Sequence, residues 1–245
     1  MIVVTGATGN VGRTLVRLLV EAGEQVTAVS RGISAPDVPP GVRGVRADLS
    51  EPASLEPALA GADALFLLTS GDFLAGAGGG TAVREVLDRA RGAGVRRVVL
   101  LSSQGVETLH HPSHLEDAVR ASGLEWTVLR PGAFASNAFA WAGTIRADRV
   151  AAAPFGDVAL PAVDPDDIAA VAAVALREDG HGGRTYVLTG PAALTPRQQV
   201  AAIADALGEP VRFVELTRAE AAAGMARFMP EPVVEATLDV LGTPT

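Results

Sequence analysis

Short apolar runs alternate along the first half of the chain with longer segments in which apolar residues recur at helical spacing. The short runs predict six strands: 2–5, 25–30, 42–47, 64–69, 95–102 and 126–130. The longer segments predict four helices: 11–22, 54–60, 81–93 and 114–122. A glycine follows each predicted helix, where a left-handed position at the helix end favours this residue. This alternation predicts an α/β fold with a parallel sheet covered by helices on both faces.

The pattern becomes less regular after Pro131. Two helices and two strands are predicted there: 165–176, 196–207, 185–188 and 211–215. The end of the chain is also helical in pattern. We predict a core domain at 1–131 and a mixed α/β region at 132–245 that completes the fold and forms a substrate cleft and lid. The reason is that C-terminal material commonly covers the carboxyl ends of the strands in open α/β folds.

A glycine-rich segment, TGATGNVG at residues 5–12, lies between the first predicted strand and the first predicted helix. In a dinucleotide-binding loop, Gly6 permits the tight turn, Gly9 lets the backbone approach a pyrophosphate, and Gly12 lets the helix pack close to the strand. Backbone N–H groups at the positive end of the helix then face the phosphates. Six cofactor contacts are predicted here: Gly6, Thr8, Gly9, Asn10, Val11 and Gly12. A simple glycine turn is the alternative, but strand, loop and helix together favour a Rossmann-type, doubly wound core.

Two strand ends bear on which dinucleotide binds. The second predicted strand ends at Ser30 and Arg31, where an acidic residue would hold the ribose hydroxyl of NAD and a basic one would accommodate a 2′-phosphate. The guanidinium favours NADP(H), with a solvated surface arginine as the alternative. After the third predicted strand, Asp48, followed by Leu49, is a candidate to accept a hydrogen bond from the adenine amino group. A helix cap is an equally good interpretation of Asp48.

Composition narrows the possible chemistry. The 245 residues include no cysteine, which excludes disulfides, thiolate metal sites and a cysteine nucleophile and favours a reducing, cytoplasmic location. All 20 basic residues are arginines, so mechanisms that need a lysine, such as Schiff-base chemistry, are excluded. The net charge of −8 and the scattered arginines argue against nucleic acid as a partner. No signal peptide or membrane span is predicted, so we expect no membrane partner.

Several motifs together resemble the NmrA-like branch of atypical short-chain dehydrogenases and reductases. They are TGATGNVG, the SRG ending of the second strand, ADLSEPASLEPALAGAD, RRVVLLSSQGV, SGLEWTVLRPGAFASN and LTGPAALTPRQQVAAIADALGEPV. The resemblance implies a Rossmann core that binds NADP(H), with five residues on the nicotinamide side: Thr69, Ser70, Ser102, Ser103 and Pro131. Members of this branch include quinone and azo-dye reductases, isoflavone-type reductases, tailoring enzymes of secondary metabolism, and nucleotide-sensing regulators with little or no catalysis.

The chain departs from the wider dehydrogenase pattern at the catalytic positions. HHPSHLEDAVRAS replaces the Tyr-x-x-x-Lys pair, and Gln104 follows Ser102 and Ser103 at the position of the catalytic serine. Alcohol oxidation needs a base that is absent here, whereas hydride transfer to a quinone gives a delocalised anion that needs little acid assistance. We predict an NADPH-dependent reductase of a quinone-like, enone-like or other conjugated small molecule. The alternatives are an NADP(H)-sensing regulator without turnover and a non-redox isomerase or cyclase.

Candidate residues on the acceptor side come from two segments. His114 is a candidate proton or hydrogen-bond donor, and Gln104 is the second catalytic candidate. His110, His111 and His114 lack a further ligand at regular spacing, so we predict no metal site. Four residues after Pro131 are predicted to contact the acceptor, with core packing as the alternative for the aromatic ones: Phe134, Asn137, Trp141 and Phe155. A monomer and a homodimer both stay open.

Overall fold

The computed structural model describes residues 1–69, 79–108 and 114–243. The strands in this part of the chain are β1 (Ile2–Thr5), β2 (Val26–Ser30), β3 (Arg43–Arg46), β4 (Ala64–Leu68), β5 (Arg97–Leu101), β6 (Glu125–Pro131), β7 (Ala133–Phe134), β8 (Val150–Pro154), β9 (Leu160–Val163), β10 (Arg184–Leu188), β11 (Ala193–Leu194) and β12 (Arg212–Leu216). The α-helices are α1 (Asn10–Glu21), α2 (Glu56–Leu59), α3 (Gly79–Gly92), α4 (Gly105–Thr108), α5 (His114–Arg120), α6 (Ala142–Asp148), α7 (Pro165–Arg177), α8 (Pro196–Leu207), α9 (Arg218–Met225) and α10 (Glu231–Gly242).

Seven strands form one parallel sheet in the order β10-β6-β5-β4-β1-β2-β3. The order reverses beside β1, which pairs with β2 on one side and β4 on the other. Ligands of open α/β sheets bind at such a switch point, outside the carboxyl ends of the strands. The observed sheet confirms the predicted Rossmann-type α/β fold.

Helices cover both faces of this sheet because its central strands are apolar throughout. All four residues of β1 are buried. Helix α1 buries Leu15 and Leu19 and packs against α7, which buries Ile168. On the other face, Leu87 of α3 and Val119 of α5 join the sheet residues in one buried apolar cluster. Continuous apolar strands of this kind are typical of sheets that are buried on both sides.

The chain divides into two compact units. The first comprises residues 1–131 and 165–188, and the second comprises residues 132–164 and 189–245. The chain leaves the first unit after Pro131. It returns to that unit for residues 165–188, which were predicted as part of the mixed region. There α7 packs against α1, and β10 adds an edge strand that pairs in parallel with β6.

The second unit contains two small sheets of its own. One has the order β11-β9-β7, and the other pairs β12 with β8. Ile145, Ala151 and Val200 form one buried cluster of this unit, and Ala221, Val234 and Leu238 form another. The sequence analysis did not predict β7, β8, β9, β11 or α6, because each is short and lacks a sustained apolar period. No α-helix of the described ranges has the length and apolar character needed to cross a membrane.

Candidate dinucleotide-binding site

The glycine-rich segment forms a compact loop between β1 and α1. The Ala7 N–H donates to the carbonyl oxygen of Val29 at 3.1 Å, which holds the loop against β2. The Gly9 N–H donates to the Gly6 carbonyl oxygen at 3.0 Å and closes a turn. The Arg13 guanidinium donates to the Thr8 carbonyl oxygen at 3.2 Å from the first turn of α1. These contacts hold the loop at the carboxyl edge of the sheet.

Two glycines of the loop cannot be exchanged for larger residues without strain. Gly6 has φ +64°, a conformation that L-residues rarely adopt. At Gly12 a Cβ atom would lie 2.1 Å from the Gly6 carbonyl oxygen and 2.8 Å from the Ala7 Cα. Gly12 is buried inside the angle between loop and helix. The predicted roles of Gly6 in the turn and of Gly12 in close packing therefore agree with the geometry.

The first turn of α1 is suited to an anion. Its N-cap residue is Gly9, no side chain caps the helix, and no acidic residue lies in the first turn. Gly9 and Asn10 are exposed, whereas the Val11 side chain is buried and anchors the helix start. The N–H groups and the helix dipole favour negative charge at this position. A pyrophosphate fits the chemistry of this turn.

Thr5 joins the loop to the neighbouring strand β4. Its hydroxyl oxygen accepts a hydrogen bond from the Leu68 N–H at 2.8 Å and donates toward the Phe66 carbonyl oxygen at 3.0 Å. Thr5 is 1% exposed, so these hydrogen bonds form away from water. The sequence indicated Thr5 only as the end of the first predicted strand and the start of the glycine-rich segment. The structure gives it the role of tying β1 to β4 at the switch point.

A cleft of about 230 Å³ opens beside the loop. Its walls come from the glycine-rich loop, the ends of β1, β2 and β4, and the segment after β3: Thr5, Gly6, Thr8, Gly9, Val29, Ser30, Arg31, Ala47, Asp48, Leu49, Leu55 and Leu68. The Thr8 and Ser30 hydroxyls are 3.0 Å apart within it. Arg31 is exposed at its rim. Three of the six residues predicted for the pyrophosphate, Gly6, Thr8 and Gly9, thus line the same cleft as the residues predicted for the 2′-phosphate and the adenine.

Asp48 is held by its own turn. Its Oδ1 accepts hydrogen bonds from the Ser50 N–H at 2.9 Å and the Ser50 hydroxyl at 2.8 Å, and these hold the pKa of Asp48 below its usual range. The 3-10 helix that follows, Pro52–Leu55, has Glu51 at its N-cap, so Asp48 stabilises the turn before the helix and is not its cap. Leu49 is half-buried against the core cluster. The adenine contact of Asp48 stays a prediction.

The residues predicted for the nicotinamide side follow β4, β5 and β6. Thr69 is half-buried after β4, and Ser70 lies outside the described residues. After β5, the Gln104 N–H donates to the Pro131 carbonyl oxygen at 2.9 Å, and the Ser103 hydroxyl accepts from the Gly105 N–H at 3.1 Å. The ends of β5 and β6 are thereby joined. Their contacts with a nicotinamide stay predictions.

A buried carboxylate under this edge was missed by the sequence analysis. Glu116 of α5 accepts hydrogen bonds from Ser102, Arg120 and Arg130 and is 0% exposed. The spacing of Glu116 and Arg120, four residues apart on a helix, was a visible signal of an ion pair. The contacts to Ser102 and Arg130 depend on the order of strands in the sheet, which no local pattern reveals.

The other predicted catalytic and acceptor residues belong partly to the first unit and partly to the second. His114 is exposed as the first residue of α5, while His110 and His111 lie outside the described residues. In the second unit, the Trp141 Nε1–H donates to the Ala152 carbonyl oxygen at 2.9 Å and the ring packs on the Ile145 cluster.

The remaining acceptor-side residues also belong to the second unit. Phe155, with φ 54°, packs on the cluster around Leu238, so both it and Trp141 have a packing role. Phe134 pairs in β7 with Val163 of β9, and Asn137 is exposed on a 3-10 helix, Ala135–Trp141. No group of three or more potential metal ligands occurs in the described parts of the chain.

A larger cavity, of about 400 Å³, lies at the amino ends of the strands, opposite the glycine-rich loop. Charged side chains line it, and they pair with one another: Arg97 with Asp179 at 2.8 Å and Arg177 with Glu24 at 3.3 Å. The glycine-rich loop and the uncapped start of α1 are found at the other edge of the sheet. We therefore place the candidate site at the smaller cleft.

Comparisons with known proteins point to the same chemistry. A family model described as NAD(P)H-binding matches residues 6–179. The chain is 39% identical over 245 residues to a (4-alkanoyl-5-oxo-2,5-dihydrofuran-3-yl)methyl phosphate reductase of Streptomyces griseus, covering 97% of this chain and 85% of the relative. It is 34% identical to an NAD(P)H azoreductase of Xenophilus azovorans, covering 96% and 84%. The crystal structure of the NADPH-dependent quinone oxidoreductase QOR2 of Escherichia coli with NADPH superposes with TM-score 0.81 at 27% identity, covering 99% and 88%.

Proposed function

Because this chain belongs to a family of NAD(P)H-binding proteins, we propose that it is an NADPH-dependent reductase of a conjugated small molecule. The observation that carries the proposal is the cleft beside the glycine-rich loop. An uncapped helix start, a glycine packed against the loop and an arginine at the rim occur together there. That combination suits a phosphorylated dinucleotide.

Each part of the cleft has a task in holding NADPH. The N–H groups of the first turn of α1 bind the pyrophosphate, and Gly12 lets the helix come close enough for this contact. Arg31, beside Ser30, pairs with the 2′-phosphate through its planar guanidinium. Asp48 and Leu49 contact the adenine. The nicotinamide is lined by Thr69, Ser102, Ser103 and Pro131, in accordance with the order of strands from β4 to β6.

The acceptor must take up a hydride and a proton. When bound, NADPH supplies the hydride. The acceptors in the names of the relatives are a butenolide with a conjugated acyl group, an azo compound and a quinone, and each is an electron-poor π system. Charge that develops on such an acceptor is delocalised, so a strong general acid is unnecessary. We assign the proton to water or to the exposed His114, with Gln104 as a polar contact.

The proposed contacts of the acceptor are three aromatic residues and one polar residue. The aromatic ones are Phe134, Trp141 and Phe155, and Asn137 is the polar contact. Trp141 and Phe155 already pack on apolar clusters, so replacing either one changes the packing of this unit as well. Phe134 and Asn137 are therefore the better positions at which to test specificity for the acceptor.

The proposal is tested by titrating the purified protein with NADPH and with NADH by calorimetry. A quinone, an azo dye and an acyl butenolide are then added while absorbance is followed at the nicotinamide band. We expect tighter binding of NADPH than of NADH and loss of the band with at least one acceptor. Tight binding with no oxidation by any acceptor would replace the reductase with an NADP(H)-sensing protein or a non-redox enzyme. Absence of binding would reject the function altogether.

A further inference from the structure

Glu116 is a buried carboxylate on α5. Its two oxygens accept four hydrogen bonds. Oε1 accepts from the Ser102 hydroxyl at 2.7 Å and from the Arg130 Nε–H at 3.0 Å. Oε2 accepts from Arg130 Nη2 and from Arg120 Nη2, each at 2.8 Å. Arg130 therefore binds the carboxylate in the bidentate manner that fixes its orientation. The carboxylate is thus held by a residue that directly follows β5, by one of β6 and by one of α5.

The charge of Glu116 decides the direction of its hydrogen bond with Ser102. Burial favours the neutral acid, but hydrogen bonds and charge from Arg130, the hydrogen bond from Ser102 and the hydrogen bond from Arg120 outweigh it, so the pKa of Glu116 lies below its usual range. At neutral pH the group is a carboxylate, and a carboxylate only accepts hydrogen bonds. The hydroxyl hydrogen of Ser102 is thus committed to Glu116, and Ser102 offers other groups only the lone pairs of its oxygen.

We propose that Glu116 is a positioning residue: with Arg120 and Arg130 it orients the Ser102 hydroxyl so that its oxygen accepts a hydrogen bond from the carboxamide amino group of the nicotinamide. This inference rests on the proposed NADPH function, because it places Ser102 beside the nicotinamide. The amino group of the carboxamide can only donate hydrogen bonds. A hydroxyl oxygen whose own hydrogen is already bound to Glu116 can only accept them, so the two groups are complementary. It follows that Ser102 does not supply the proton taken up by the substrate.

The test compares two ligands that differ in the nicotinamide. Wild-type protein, Ser102→Ala, Glu116→Gln and the double variant are titrated by calorimetry with NADPH and with 2′,5′-ADP, which lacks the nicotinamide. Loss of one hydrogen bond should weaken NADPH binding by about 3- to 10-fold in Ser102→Ala, with 2′,5′-ADP binding unchanged. Glu116→Gln should show the same selective loss. The double variant should bind NADPH no more weakly than Ser102→Ala, because Glu116 acts through Ser102.

Two variants serve as controls. Glu85→Gln changes an exposed glutamate of α3 that pairs with Arg89, and it should leave both affinities unchanged. Ser102→Thr keeps the hydroxyl and should bind NADPH like the wild type. If circular dichroism shows that Glu116→Gln is unfolded, the contrast between Ser102→Ala and Ser102→Thr decides on its own whether the Ser102 oxygen holds the nicotinamide.

The outcomes separate this inference from the proposed function. Additive losses in the double variant, or an equal loss of 2′,5′-ADP affinity, would show that Glu116 only stabilises the fold and would overturn the inference. If the wild type binds NADPH but reduces no acceptor, the proposed function fails. The affinities of the variants for NADPH and for 2′,5′-ADP still test the role of Glu116 in that case. If Ser102→Ala binds NADPH like the wild type but loses turnover, Ser102 acts on the substrate and not on the nicotinamide, and the inference is wrong.

Discussion

The hydroxyl groups of Thr8 and Ser30 lie 3.0 Å apart, so a hydrogen bond connects the glycine-rich loop to the end of β2. Ser30 is immediately followed by Arg31, which stands exposed at the rim of the cleft. The loop that suits the pyrophosphate and the arginine that suits the 2′-phosphate are thereby held in one arrangement. Discrimination between NADPH and NADH should therefore depend on Arg31 and on the Thr8–Ser30 hydrogen bond beside it.

Arg31→Ala should weaken NADPH binding by about 10- to 100-fold and leave NADH binding nearly unchanged, because only NADPH carries the phosphate that the guanidinium pairs with. Calorimetric titration with both nucleotides checks this. Arg91→Ala is the matched control, since Arg91 is an exposed arginine of α3 that pairs with Asp88. Equal losses for the two nucleotides would refute the phosphate role of Arg31.

Gly12→Ala should destabilise the protein by about 1–3 kcal/mol and abolish tight NADPH binding. The added Cβ would meet the Gly6 carbonyl oxygen at 2.1 Å, and backbone atoms cannot turn away as a side chain can. Urea unfolding and NADPH titration measure the two effects. Gly92→Ala, at the end of α3, adds a Cβ with no atom within 4 Å, so it should not destabilise the protein and should leave NADPH binding unchanged. Wild-type behaviour of Gly12→Ala would contradict the packing described for the loop.

Thr5→Val should cost about 1–3 kcal/mol of unfolding free energy, although valine has nearly the shape of threonine. The substitution leaves the Leu68 N–H without the hydroxyl oxygen that accepts from it at 2.8 Å. Thr5→Ser keeps that oxygen and should recover most of the loss. Chemical denaturation of the three proteins makes the comparison, and equal stability of the valine variant and the wild type would show that this hydrogen bond contributes nothing.

Glu116→Gln should be less stable than the wild type by about 3 kcal/mol at neutral pH, because it leaves two guanidinium groups without their carboxylate. Folding lowers the pKa of Glu116, so its contribution is complete above the ordinary value of 4.5 and is lost as the pH falls through the folded-state value. The difference in unfolding free energy should therefore shrink from about pH 5 downward. Urea unfolding over that range measures it, and a difference independent of pH would contradict the ionised state of Glu116.

The first half of the fold was predictable because its signals are local. The predicted strand at 2–5 coincides with β1, and most other predicted core elements shift by a few residues at their ends. The predicted helix at 54–60 is instead a 3-10 helix, Pro52–Leu55, followed by α2. Apolar runs, helical periods and glycines at helix ends act within a few residues of one another, so they can be recognised without the rest of the chain.

The second half was less predictable because its elements depend on distant partners. β7 has two residues and owes its existence to pairing with β9, and β8 pairs with β12, far along the chain. Short strands of this kind carry little pattern of their own, since cross-strand contacts determine them. The return of 165–188 to the first unit is a further long-range feature.

The sequence by itself determined the α/β fold and the glycine-rich loop, because each depends on residues that are neighbours along the chain. It also singled out Arg31 as the predicted partner of a 2′-phosphate. Only the tertiary structure decided that Thr5 joins β1 to β4 and that Glu116 binds Ser102 and Arg130. The physical reason is that a buried hydrogen bond needs its donor and acceptor within about 3 Å, and the order of strands in the sheet sets which side chains come that close.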